Sequence, residues 1–333
     1  MSSIITFNKR KLDYSDKNFT HTISSAESIQ YNSFGQIISR ARLEKKPLII
    51  VEGFDDVPIY ESLALSNNIN ISVRAVETFS GYSEGCEGVK KFIQAAQFEI
   101  DKSLENERYI LGIVDRDATV FRGESLSELK CLFTLEVYSI ETHFVTREHA
   151  RYVLENMLNS HSMINEHIIE FVAPENLHSI FQELYYISLE SLKNACDIRY
   201  SGILGYKYSF GRIKNSYADI QQILEKRNEL DEFATSLELS MDHSYRQVIK
   251  GKWLLESFIE NIYIKAQELM EKCIKDEVIM GQQRCQFCNS GILNKCSWKL
   301  KKSYSKDIIH NVILQHHSES EVGYIKDRLR KLG

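Results

Sequence analysis

The chain has 333 residues, of which 43% are hydrophobic and 26% charged, with a formal net charge of -5 and a pI near 6.1. That composition excludes a disordered chain and predicts a soluble globular protein with one large core or two ordinary ones plus an extension. The mild acidity argues against a protein that simply coats nucleic acid, while leaving room for a nucleic-acid enzyme with a local basic surface and metal-balanced acids.

Residues 1–30 are polar and mixed and predict a loosely packed arm; SFGQIISRARLEKK then reads as a helix leading into a strand. The strand PLIIV is apolar at every position, as in a parallel strand buried on both faces. Pro58 stands where a first helical turn would begin, so PIYESLALSNN reads as a short helix. INISVRAVETF is a second strand, rich in β-branched residues, and GYSEGCEGVKKFIQAAQFEI opens with glycines and becomes an amphipathic helix. RYILGIVDRDA is a third strand that ends in acid, and LKCLFTLEVYSIETHF reads as a fourth that runs into Glu141. The alternation of strand and helix predicts an α/β fold with a mainly parallel sheet and flanking helices.

The texture changes after about residue 145. YADIQQILEKRNELDEFATSLEL and KWLLESFIENIYIKAQELMEKCIKDEVI carry apolar residues at intervals of three and four, with Leu254, Leu255, Phe258, Ile259, Ile262, Leu269 and Met270 in register. Between the α/β unit and the longer of these helices, YSGILGYKYSFGRIKNS is a Gly- and Tyr-rich loop. Only three prolines occur, Pro47, Pro58 and Pro174, which permits long helices in the second half. The expected organisation is an arm and lead-in helix (1–45), an α/β domain (46–148), a largely α-helical region (149–280) and a Cys- and Lys-rich C-terminal segment (281–333). No run of eighteen apolar residues is present, and the N-terminal residues have no apolar stretch resembling a signal peptide, so a cytoplasmic protein without membrane contact is expected.

In an α/β sheet, ligands bind at the carboxyl ends of the parallel strands. Glu52 and Asp56 follow the first strand, and Asp115 and Asp117 follow the third. If those strands are neighbours, four carboxylates converge, and their mutual repulsion calls for a cation. Mg²⁺ or Mn²⁺ takes oxygen ligands and favours one or two carboxylates beside a substrate phosphate. Alternation along DRD predicts Asp115 and Asp117 on one side of the strand, with Glu141 a fifth acid. The bland alternative is that each acid caps the helix that follows it.

VEGFDD followed some sixty residues later by GIVDRD resembles a TOPRIM domain, the metal-binding fold of topoisomerases, bacterial primases and a class of nucleases. YSIETHF and VIKGKWLLESF resemble later segments of TOPRIM nucleases of the overcoming-lysogenization-defect family and of the PARIS anti-phage systems, with Thr142 and His143 where an Asn-Tyr pair is usual. The resemblance implies a TOPRIM, Rossmann-like fold over residues 46–148 and a two-metal nuclease. It makes Glu52 the key ligand or base, Asp115 and Asp117 the principal metal ligands, Asp56 and Glu141 supporting ligands, and Lys250 or Lys252 the group that neutralises the phosphate. It further implies a nucleic-acid substrate, an ABC-type ATPase partner, a homodimer, and a toxic effector in anti-phage defence. The alternatives are a non-catalytic TOPRIM adaptor and a primase-related or strand-passing enzyme.

Seven cysteines in a reducing compartment are small core residues or metal ligands. Cys285 and Cys288 have C-x-x-C spacing and Cys296 follows, a set that suits structural Zn²⁺ with a fourth ligand from Cys273, His310, His316 or His317. Three ordinary cysteines on a hairpin is the competing explanation. From Lys295 to Lys306 there are five lysines and no acid. Lys295, Trp298, Lys299, Lys301 and Lys302 thus form a candidate nucleic-acid-binding set, against the simpler possibility of a solvated helix face.

Overall fold

A computed structural model describes residues 33–123, 129–159, 161–279, 281–301 and 304–333. The expected arm at residues 1–30 and Lys302 lie outside the described residues. Two compact units emerge from the chain. The first comprises the described residues up to Asp115, those of 125–135, and Tyr324–Gly333; the second comprises those of 116–124 and 136–323.

The first unit is built on four parallel strands among the described residues: β1 (Leu48–Val51), β2 (Ser72–Ala75), β3 (Ile110–Val114) and β4 (Leu132–Thr134), in the order β2-β1-β3-β4. Every residue of β1 and β3 is buried, as their uninterrupted apolar runs require. Helices α1 (Phe34–Leu43), α2 (Val57–Ser66) and α3 (Cys86–Asp101) belong to the same unit. Ser33 caps α1 by accepting from the Gln36 amide, and Pro58 lies in the first turn of α2, where its missing N–H costs nothing. Phe92 of α3 anchors the core, its ring 4.6 Å from Phe79 and 5.1 Å from both Phe34 and Tyr82. The helix lies close on β3 at Gly112, where a Cβ would sit 2.7 Å from Ile93 and 2.8 Å from Val89 side-chain carbons.

The second unit is helical. Its helices are α4 (Arg147–Met157), α5 (Glu166–Val172), α6 (Gln182–Cys196), α7 (Phe210–Lys214), α8 (Tyr217–Glu225), α9 (Arg227–Ser236), α10 (Met241–Val248), α11 (Gly251–Lys275), α12 (Gln286–Asn289) and α13 (Lys306–Ile313). The final helix, α14 (Glu319–Arg330), runs toward the C-terminus. The apolar stripe read on α11 is a buried face: Leu254, Leu255, Phe258, Ile259, Ile262 and Leu269 are all buried. Among the described residues, no helix is long and apolar enough to cross a membrane.

Two expectations are corrected here. The fourth strand does not run into Glu141: β4 ends at Thr134, and Glu141 lies in a 3₁₀ turn, Ile140–Phe144. The chain leaves the sheet once Leu135 has donated to the Val114 carbonyl. Nor does strand alternation extend through DRD. β3 stops at Val114, and Asp117 has φ +25°, a value that an extended strand cannot contain.

Candidate active site and metal centre

The order β2-β1-β3-β4 reverses direction between β1 and β3, so the carboxyl ends of these two strands form the switch point of the sheet. Glu52 directly follows β1 and Asp115 directly follows β3. The Asp115 amide donates to Glu52 Oε1 at 2.8 Å, which ties the two strand ends together through a side chain. Asp56 stands at the N-cap position of α2 but makes no capping bond with its side chain; its carboxylate turns back and accepts from the Gly53 amide at 3.1 Å. Helix capping therefore does not account for Glu52 or Asp56.

Tyr60, one turn along α2 from Asp56, was not singled out by the sequence patterns. It is 2% exposed, and burial together with the carboxylates of Asp115, Asp56 and Glu52 and the Tyr324 phenol pushes its hydroxyl well above the ordinary tyrosine range. All three acids are thus close enough for one buried phenol to feel their charge. The available signal was its position, four residues after Asp56 on a helix.

Among the described residues, the only group of three or more His, Cys, Asp or Glu side chains gathered closely enough to share an ion consists of cysteines. Glu52, Asp56 and Asp117 each accept a backbone amide, from Asp115, Gly53 and Thr119 respectively. Asp117 accepts from the Thr119 amide at 2.6 Å and from the Thr119 hydroxyl, which is the local turn-capping role.

Asp117, Glu141, Lys250 and Lys252 belong to the second unit, whereas Glu52, Asp56 and Asp115 belong to the first. Glu141 is buried and accepts from the Ser139 hydroxyl. Thr142 and His143 are also buried, with His143 Nδ1 3.0 Å from the Ile140 carbonyl; burial lowers the His143 pKa to about 4. Lys250 precedes α11 and donates to the Tyr206 carbonyl at 2.7 Å, its ammonium 5.7 Å from the Trp253 ring centroid. Burial, and then the neighbouring Lys252, lower the Lys250 pKa against an opposing pull from Glu141. Lys252 is exposed on the first turn of α11.

Gly251 fits this corner closely. A Cβ there would lie 1.9 Å from Ser139 Oγ, 3.0 Å from Thr142 Oγ1 and 3.2 Å from Glu141 Oε2. Gly251→Ala is therefore expected to destabilise the protein by roughly 1–3 kcal/mol. Adding Ser139→Ala removes the closest obstacle and should recover part of the loss, a non-additivity that urea melts of the four proteins would measure. Strict additivity would mean that Ser139 is not what Gly251 accommodates.

The cysteines gather more completely than their spacing implied. Cys273, Cys285, Cys288 and Cys296 are buried, with all four sulfurs within 4.8 Å of one another. Cys273 comes from the last turns of α11, and Cys285 returns to it, its amide donating to Cys273 Sγ at 3.3 Å. The Ser297 amide donates to Cys285 Sγ at 3.3 Å, and Cys285 Sγ lies 3.9 Å from Cys296 Sγ. Burial alone would raise the Cys285 pKa, but the Ser297 and Cys288 amides outweigh it and bring the thiol down to about 6. Burial pushes Cys288 up to about 11 and Cys296 higher still. Among the described residues no histidine joins the group; His316 instead lies 2.8 Å from Glu148 Oε1 and stacks on Tyr152.

No known family model matches the chain, and no curated protein matches it in sequence.

In the basic tail, Trp298 departs from its expected role. Trp298 is fully buried and its indole N–H donates to the Gln283 carbonyl at 3.1 Å, so its ring is core and not a stacking platform for a base. A tryptophan beside the Cys296 sulfur buries more apolar area inward than it could by facing water. Lys299 donates to the Asn294 carbonyl and Lys301 to the Asn156 carbonyl, while Lys295 is exposed.

Proposed function

We propose that the protein is a TOPRIM-type, divalent-metal-dependent nuclease that hydrolyses nucleic-acid phosphodiester bonds as an effector of anti-phage defence. The observation that carries this reading is the pair of acids at the switch point, Glu52 after β1 and Asp115 after β3, joined by the Asp115 amide to Glu52 Oε1. Asp56 adds a third carboxylate beside the same buried Tyr60. These are hard oxygen donors of the kind that hold Mg²⁺ or Mn²⁺ with several waters retained. Such an ion supplies an activated water and charge stabilisation on the scissile phosphate. Glu52 and Asp115 would hold the metal at the carboxyl ends of β1 and β3, and the buried neutral Tyr60 borders them from α2 without adding charge. A working partnership with an ABC-type ATPase and a homodimeric state belong to the same proposal through the motif resemblance.

The test is cleavage of plasmid DNA and of total tRNA by the purified chain, alone and with the candidate ATPase, in Mg²⁺, Mn²⁺ or EDTA. Cleavage in metal and none in EDTA is expected. Metal-independent cleavage, or no cleavage of either substrate under any of these conditions, would remove the assignment and leave the non-catalytic adaptor as the better account.

The four cysteines are proposed to hold one structural Zn²⁺. A tetrahedral tetrathiolate with Zn–S of about 2.3 Å requires sulfurs about 3.8 Å apart. The 3.9 Å separation of Cys285 and Cys296, and the amides directed at two of the sulfurs, suit that geometry.

A further inference from the structure

We infer that the segment from Lys207 to Tyr217 is a binding surface for single-stranded nucleic acid, a substrate contact that rests on the nuclease reading and extends it. The stretch 198–218 carries Arg199, Lys207, Arg212 and Lys214 and no acidic residue, in a chain whose net charge is -5. Five aromatics are interleaved with those cations: Tyr200, Tyr206, Tyr208, Phe210 and Tyr217. Cations for phosphates and rings for bases are the combination that single-strand binding uses.

The backbone of this segment is anchored from below. Glu190, fully buried on α6, accepts from the Tyr200 hydroxyl, from the Ile203 amide at 3.0 Å and from Lys226 at 3.1 Å. The Tyr206 hydroxyl donates to the Val248 carbonyl at 2.8 Å, with the Ser188 carbonyl 3.1 Å away as the alternative acceptor. The Trp253 indole N–H donates to the Tyr208 carbonyl at 3.0 Å. A loop held this firmly presents its outward side chains with little ordering left to do on binding, which favours affinity.

Three groups point the other way. Lys207 and Arg212 are exposed and lie 5.4 and 5.9 Å from the Tyr208 ring centroid, so one ring holds both cations at neighbouring positions. Neither makes an ion pair among the described residues, whereas Lys214 is paired with Glu260 and Arg199 with Asp197. Tyr217 is 73% exposed, and with Arg212, Asn215, Ser216, Ala218 and Asp219 it lines an open surface cavity of about 280 Å³. Lys207 and Arg212 are assigned to backbone phosphates and Tyr217 to stacking on a base. The exposed Tyr217 ring beside these cations favours a nucleic acid over a featureless polyanion.

The test is fluorescence anisotropy of the full chain in EDTA, so that cleavage does not enter. The probes are labelled single-stranded RNA and DNA oligonucleotides, their duplexes, and polyglutamate as a plain polyanion. Lys207→Gln with Arg212→Gln should weaken oligonucleotide binding roughly tenfold or more near 0.1 M salt, and should flatten the log Kd against log salt slope by about 1.4. Tyr217→Ala should weaken it roughly 5- to 150-fold while Tyr217→Phe retains it. Either a single-stranded RNA or a single-stranded DNA preference supports the proposal. Equal binding by wild type and variants, no binding of any oligonucleotide, tighter binding of duplex, or equally tight binding of polyglutamate overturns it. Cleavage that persists unchanged in these variants would place the failure here and leave the nuclease assignment standing, whereas variant-sensitive binding without metal-dependent cleavage would do the reverse.

Discussion

Glu52→Gln is expected to lower nucleic-acid cleavage by about 10²–10⁴-fold while leaving the protein folded. The amide of glutamine keeps an oxygen where Glu52 Oε1 accepts from the Asp115 amide, so the two strand ends stay joined. What disappears is the charge that a divalent cation requires. Glu52→Ala removes both, and should additionally cost about 1–3 kcal/mol because the part-buried Asp115 amide loses its acceptor. The two variants therefore separate catalysis from scaffolding: equal losses of activity with unequal losses of stability are expected. Melting curves carry a second readout, since Mn²⁺ should raise the wild-type Tm by mass action and raise that of Glu52→Gln much less. A Glu52→Gln protein that cuts like wild type would sink the role given to this residue.

Cys273→Ser is expected to have the largest effect on stability. Protein purified without added metal should contain about one zinc per chain, and this variant should contain far less. Binding of structural zinc contributes on the order of 10 kcal/mol in small domains, so losing a ligand should unfold the segment that the metal ties to α11. Limited proteolysis should then cut between Lys275 and Trp298 in the variant and much more slowly there in wild type. Cys273 discriminates because it lies on a long helix, away from the C-x-x-C turn, and would tolerate serine if it were an ordinary core residue. The metal should also be lost more readily as pH falls, since protons compete for the thiolates. A native chain that holds no metal, with Cys273→Ser equally resistant to protease, would eliminate the zinc.

The local physics of the chain was legible without coordinates. The run Leu48–Val51 has no polar residue with which to face water, so burial on both faces follows from composition, and Ile110–Val114 repeats the case. Pro58 marks the first turn of α2, and the spacing of three and four along α11 marks its buried face. Each of these depends on residues within one or two turns of each other. The placement of acids directly after two such strands was equally visible, since it needs only the order of residues.

What neighbours what was decided by the tertiary structure. DRD looks like a strand to its own end, yet β3 stops at Val114 because the chain must leave the sheet, and Asp117 turns to cap Thr119. Trp298 sits among lysines in sequence and lies in the core, because the return of the chain over Cys273 gives its ring apolar surface to cover. The fourth sulfur could not be chosen from spacing, since Cys273 and Cys285 meet only when the chain beyond α11 folds back on the helix. Likewise, Glu52 and Asp115 share a hydrogen bond only because the crossovers put β1 beside β3. Periodicity and composition act over a few residues and are written in the sequence. Adjacency across sixty residues depends on which long-range pairings bury the most apolar surface, and that is a property of the whole chain.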